Sequence, residues 1–140
     1  MKKVITLIIA CATLVACVPS KPFVMPNVDR QTGVHVVSEY ATGTADSMFS
    51  PHILIASIDG KPVKRSSALA RLPEEVYVTP GTHTFDLRYV MGGGWGEINL
   101  ALDAQAGHEY IIEEIDGTGA HFLLRFRDGW NGPVVGRLAD

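Results

Sequence analysis

Between Thr84 and Tyr89 polar and apolar side chains alternate without a break. Phe85, Leu87 and Tyr89 fall on one face of an extended chain, and Thr84, Asp86 and Arg88 on the other. Ile98, Leu100 and Leu102 oppose Glu97, Asn99 and Asp103 in the same way, and Phe122, Leu124 and Phe126 oppose His121, Arg125 and Arg127. A period of two fits a strand and not a helix, and one dry face against one wet face is the mark of antiparallel pairing. The punctuation agrees. Asp59-Gly60, Pro80-Gly81, Asp116-Gly117, Asp128-Gly129 and Asn131-Gly132 are turn pairs in which glycine supplies positive φ. Strands are expected at 34–40, 52–58, 75–78, 82–91, 95–104, 108–116, 120–128 and 133–138. Short strands at such spacing predict an all-β, antiparallel sandwich or small barrel of seven or eight strands. The single helical candidate is 66–72, with Ser66 or Ser67 as cap and Pro73 as its stop.

The amino terminus follows other rules. Lys2-Lys3 precede an apolar run over 4–16, and small residues lie near its end. This is the pattern of an export signal, and the run is too short for a membrane-spanning helix of about 20 residues. Leu14-Val15-Ala16-Cys17 resembles the bacterial lipobox that signal peptidase II cuts before the cysteine. The resemblance implies that 1–16 is removed and that Cys17 is lipidated with diacylglycerol and a further acyl chain. Ile8-Ile9-Ala10-Cys11 is a poorer match, because it leaves a very short apolar segment. Val18 stands where an aspartate would retain a lipoprotein at the inner membrane. The sorting rule therefore implies the outer membrane, with the domain in the periplasm. Each buried CH2 contributes roughly 0.8 kcal/mol, so two or three chains anchor firmly.

Cleavage also changes the composition. Cys11 leaves and the sulfur of Cys17 is capped, so the mature chain has no disulfide and must rest on its core. Without Lys2 and Lys3, ten basic residues face 15 acidic ones, a formal charge of −5. Neither an anionic headgroup nor a nucleic-acid backbone is attracted by such a balance, which excludes nucleic acid as partner and leaves anchoring to the lipid.

Residues 17–33 read as a tether, with Pro19, Pro22 and Pro26 in an aperiodic polar stretch that favours extended polyproline conformations. A docked edge segment at Phe23, Val24 and Met25 is the alternative to a free spacer. The domain is expected over 34–140. Within it, three stretches resemble PEGA-like modules: Ile55-Ala56-Ser57-Ile58-Asp59-Gly60-Lys61, then Val76-Tyr77-Val78-Thr79-Pro80-Gly81-Thr82-His83, then Ala106-Gly107-His108-Glu109-Tyr110. PEGA-like modules are small immunoglobulin-like β-sandwiches of bacterial surface proteins. The likeness covers about 53–128 and implies a fold, since such modules serve many roles.

Candidate sites are few. Gly92-Gly93-Gly94-Trp95-Gly96 is not a phosphate loop, because no Lys-Ser/Thr pair follows. A mobile tip carrying Trp95 suits a partner groove or a sugar, whereas a tip folded back would cover the sheet edge. Gly93, Gly94, Trp95 and Trp130 are the candidate contacts. His35, His52, His83, His108 and His121 show no ligand spacing, so no metal and no cofactor beyond the lipid is expected. His83 and His108 read as partners of loop carbonyls. Glu113, Glu114 and Asp116 form an acidic knot. Neighbouring strand residues point opposite ways, so one glutamate is expected in solvent and the other on Arg125 or Arg127. Lys61, Lys64, Arg65 and Arg71 make a solvated basic cluster or a contact for an anionic envelope polymer. No Gly-x-Ser-x-Gly elbow is present, and Ser66 and Ser67 have no evident base.

These features predict a non-enzymatic, outer-membrane-anchored lipoprotein that serves as a structural or protein-interaction component of an envelope assembly. Glycan or peptidoglycan binding through exposed tryptophan is the alternative. Open edge strands also permit a homo-oligomer.

Overall fold

A computed structural model describes residues 20–41, 50–115 and 122–139. The described residues form strands and turns with no helix. The strands are β1 (Phe23–Val24), β2 (Val34–Ser38), β3 (His52–Ile58), β4 (Lys61–Pro62), β5 (Glu75–Val78), β6 (Gly81–Met91), β7 (Gly94–Ala104), β8 (Glu109–Ile115), β9 (Leu123–Asp128), β10 (Val134–Val135) and β11 (Arg137–Leu138). They make two sheets, in the orders β1-β5-β2-β8-β9-β10 and β11-β7-β6-β3-β4. The inward residues of both pack into one core, with Val36, Val76, Ile112 and Phe126 from the first sheet and Ile53, Phe85, Leu87 and Leu102 from the second. Phe85 and Phe126 meet edge to face across it, 5.3 Å between centroids. The molecule is an all-β sandwich.

The strands lie where alternation or apolar runs place them, and four features depart from the sequence reading. First, the pairing is mixed. β2 runs antiparallel to β5 but parallel to β8, and β1 runs parallel to β5. A parallel pair needs a long crossover, which the second sheet provides between β2 and β8. Second, 66–72 is not helical. Seven residues barely repay helix nucleation. The segment instead turns once, with Ala70 N–H on Ser67 O and Oγ, and returns so that Pro73 C=O accepts from Ile55 N–H at 2.8 Å. Third, Phe23–Val24 takes the docked form and not the free spacer: it lies along Val76–Tyr77, and Met25 N–H donates to Tyr77 O at 3.0 Å. Fourth, 133–138 divides at Gly136. β10 completes the first sheet on β9, and β11 joins the second on β7.

The outer face of the first sheet is tied by charge. His35 on β2 lies between Glu75 of β5 (2.9 Å) and Glu109 of β8 (2.7 Å), linking three strands, and its ring stacks on Tyr77.

Candidate functional site

The most exposed aromatic side chain stands at the tip of the longest hairpin. β6 and β7 pair from Gly81↔Ala104 to Met91↔Gly94, which leaves only Gly92 and Gly93 in the turn. Both have positive φ, 55° and 88°. That is the signature of a type I′ turn, whose twist matches the flanking strands and which residues with a Cβ resist. The expectation of a flexible glycine loop is therefore corrected, since Gly94, Trp95 and Gly96 belong to β7 and are held by cross-strand bonds.

Trp95 faces outward opposite Val90 and is 67% exposed, so it does not fold back over the edge. The Arg88 guanidinium lies over its ring at 5.2 Å from the centroid. Arg88 Nε and Nη2 in turn donate to Glu97 Oε1 at 3.1 and 2.7 Å. A cation on an aromatic face is attracted by the ring quadrupole, so this row orients the indole. On the inner side, Gly96 leaves room for Phe122, because a Cβ there would lie 2.0 Å from the Phe122 ring. Phe122 stacks on Tyr89 at 5.0 Å and closes the first sheet onto the second at this end.

Beside this contact, Tyr40 and Tyr89 both donate their hydroxyls to Glu114 Oε2, at 2.7 and 2.8 Å. Glu114 N–H donates to Glu39 Oε1. Burial, followed by the bond to Glu114, pushes the Tyr89 phenol up to about 12 and the Tyr40 phenol higher still. Glu114 thus points inward and not to solvent. Glu113 points outward, as alternation requires, and accepts from both Arg125 and Arg127.

A cleft of about 190 Å³ opens along the side where the two sheets part. Ile98 and Leu138 line it from the second sheet, and Leu123, Leu124 and Val134 from the first. Leu123, Val134 and Leu138 are 58%, 50% and 66% exposed. A more polar hollow of about 360 Å³ lies between Asp103, Gln105, Tyr110, Asp128 and Arg137.

The remaining sequence candidates separate. Cys17, Asp116 and His121 lie outside the described residues. Trp130 is half exposed and follows the far end of β9, whereas Phe122, against Gly96, precedes its near end. Six strand residues at roughly 3.3 Å each thus lie between the two tryptophan ends, which do not form one platform.

The four described histidines each meet a carboxylate: His35 on Glu75 and Glu109, His52 on Glu74, His83 on Asp59, and His108 on Asp128. His83 also meets the Thr79 carbonyl (2.8 Å), the expected kind of partner, whereas His108 has a carboxylate in place of a carbonyl. No group of three or more metal-binding side chains is arranged around an ion among the described residues. The basic cluster disperses. Lys61, Lys64 and Arg65 are exposed, while Arg71 turns in and donates Nη1 to His52 Nε2 at 2.7 Å.

Sequence reasoning did not find Arg88, Phe122 or the Tyr40–Glu114–Tyr89 cluster. The register Arg88↔Glu97, two residues from Val90↔Trp95, was the available signal for the first. No family model, curated protein or solved structure matches the chain.

Proposed function

We propose that this chain is an exported lipoprotein, anchored at the outer membrane through Cys17, whose sandwich works without catalysis as an interaction component of an envelope assembly. The observation that carries this reading is the presentation of Trp95. A large apolar side chain is held in solvent at a hairpin tip by a rigid glycine turn, with Arg88 and Glu97 fixing its orientation and the exposed Met91 beside it. Tryptophan and arginine together are characteristic anchors of protein interfaces. The likeness to PEGA-like, immunoglobulin-like modules belongs to the same proposal. It is supported by the position of its motifs, because Asp59-Gly60 ends β3, Pro80-Gly81 opens β6 and Gly107-His108 leads into β8.

Glycan binding is the second reading. Trp95 shares its outward face with Asp86, Arg88, Glu97 and Asn99, polar groups suited to sugar hydroxyls. Arg88 already covers one face of the indole, so a sugar would stack on the other face or displace the guanidinium.

The test is a mild-detergent pull-down of tagged full-length protein, wild type beside Trp95→Ala, with mass spectrometry of captured proteins. The proposal expects a stoichiometric envelope protein that is lost in the variant. Recovery of the lipoprotein alone, with a tryptophan fluorescence shift on titrating peptidoglycan fragments, would favour the glycan reading. A partner retained by Trp95→Ala would move the contact elsewhere on the domain.

A further inference from the structure

β6 holds one side of β7 along its whole length. β11 holds the other side only at Leu100 and Ala101, and Ala139 N–H donates to Asn99 O at 3.1 Å. Residues of an antiparallel strand turn their backbone groups alternately to its two sides. The two-residue turn makes Met91 and Gly94 a hydrogen-bonded pair, so Trp95, Glu97 and Asn99 direct N–H and C=O away from β6. The bond from Ala139 to Asn99 O has this phase. Trp95 and Glu97 therefore offer four backbone groups along an edge that no other strand covers among the described residues.

The space inside this edge is apolar. A residue of an added strand that points inward would meet the 190 Å³ cleft beside Ile98, whose other walls include the exposed Leu123, Val134 and Leu138. Arg125 and Arg137 also line it, and no carboxylate does. Arg137 has only a long contact to Asp103, 3.8 Å, and is well exposed. Outward residues of the same strand would flank the Trp95 indole.

The geometry points to strand addition: a short extended segment of a partner protein, with an apolar residue flanked by acidic ones, pairs with β7 at Gly94–Ile98. The backbone bonds hold the segment, the cleft takes its apolar side chain, and the two arginines select the acidic neighbours. This inference rests on the interaction reading above and names its surface and the chemistry of its partner.

A phage-displayed library of random heptapeptides, selected on the full-length protein in detergent micelles, tests it. Enriched peptides should carry an apolar residue between Asp or Glu. Synthetic copies should bind Glu97→Pro, which lacks one outward N–H, at least tenfold more weakly than wild type. N-methylation of alternate peptide amides should weaken binding by a similar factor, a check independent of whether the variant folds. Arg137→Glu should abolish the acidic preference. No enrichment, or peptides indifferent to both N-methylation and Glu97→Pro, would overturn the inference. A dimer in sedimentation velocity that Glu97→Pro dissociates would overturn it too, by giving the edge to a second copy. If the pull-down partner persists undiminished in Glu97→Pro, the edge is wrong and the interaction reading stands. If no partner is captured but acidic–apolar peptides are enriched, the opposite holds.

Discussion

Glu114 accepts two phenolic hydroxyls on one carboxylate oxygen, from Tyr40 at 2.7 Å and Tyr89 at 2.8 Å. Burial is the largest influence on both phenols, and the carboxylate adds to it by bonding the protonated form and repelling a phenolate. Both are raised above the ordinary value of 10.0, Tyr89 to about 12 and Tyr40 beyond that. A raised acid contributes stability that is fully present below its unfolded value and lost as pH rises through the folded one. In a stopped-flow pH jump read at the phenolate absorbance, Tyr89 should therefore ionise near pH 12 and Tyr40 later. Glu114→Gln should bring both waves down without returning them to 10, because burial remains. Both phenols ionising together near pH 10 in the wild type would remove the cluster from this account. The arrangement was not visible in the sequence, because Tyr40 and Glu114 lie 74 positions apart and alternation gives a side chain's face but not its neighbour.

At the scale of elements, β1 is held by a single short parallel pairing on β5 and by Met25 N–H on Tyr77 O. Partly buried Phe23 and Met25 pack against the core and supply the apolar contact. An edge held this lightly should open by itself. Val24→Pro, which removes an N–H and fixes φ, should cost about 1 kcal/mol. In native-state hydrogen exchange it should speed exchange of the Met25 amide while leaving the β6–β7 amides unchanged. A uniform rise across both sheets would mean that β1 is integral to the global fold.

The same element shows where sequence reading stops. β3 and β5 have the expected limits, and β6 and β7 differ from them by one residue at the start, because these strands show apolar alternation or runs bounded by turn pairs. β1 and β4 have two residues each, too few to show a period. The parallel registers were hidden because alternation says nothing of direction. Trp95 was legible as a candidate from its glycine setting, but the cleft was not. Leu123, Val134 and Leu138 carry apolar side chains like those of the core, and only the parting of the sheets leaves them exposed.

Over the whole molecule, the strand order separates attachment from contact. β1, nearest the lipidated end in sequence, is one edge of the first sheet, and β10, beside the cleft, is the other. A domain between two such edges must transmit load through its sheets, and ionic ties on both sheets support it.

On the first sheet, the Arg127 hydrogen bond leads in holding the Glu113 carboxyl below its ordinary 4.5. Burial opposes it, and Arg125 adds to the lowering. On the second, burial raises Asp59, but bonds from His83 and the Thr84 N–H together with the His83 and Lys61 charges hold it below 3.8. Both folded values are depressed, so each contributes stability present above its unfolded value and lost as pH falls through the folded one. The two carboxyls share no partner, and a domain of this size unfolds as one unit, so urea titrations should show both losses in one transition.

The urea midpoint should be level between pH 7 and 5 as far as these two groups are concerned, then fall steadily towards pH 2. Glu113→Gln should lower stability at pH 7 by about 2 kcal/mol, the scale of a hydrogen bond to a charged group. It should also flatten the acid limb, because its loss is then already taken at neutral pH. Asp59→Asn should flatten the limb as well, over a range starting about half a unit lower. A wild-type midpoint that holds from pH 5 to pH 2, or an acid limb as steep in both variants as in the wild type, would show that these two ties do not bear on the stability of the sandwich.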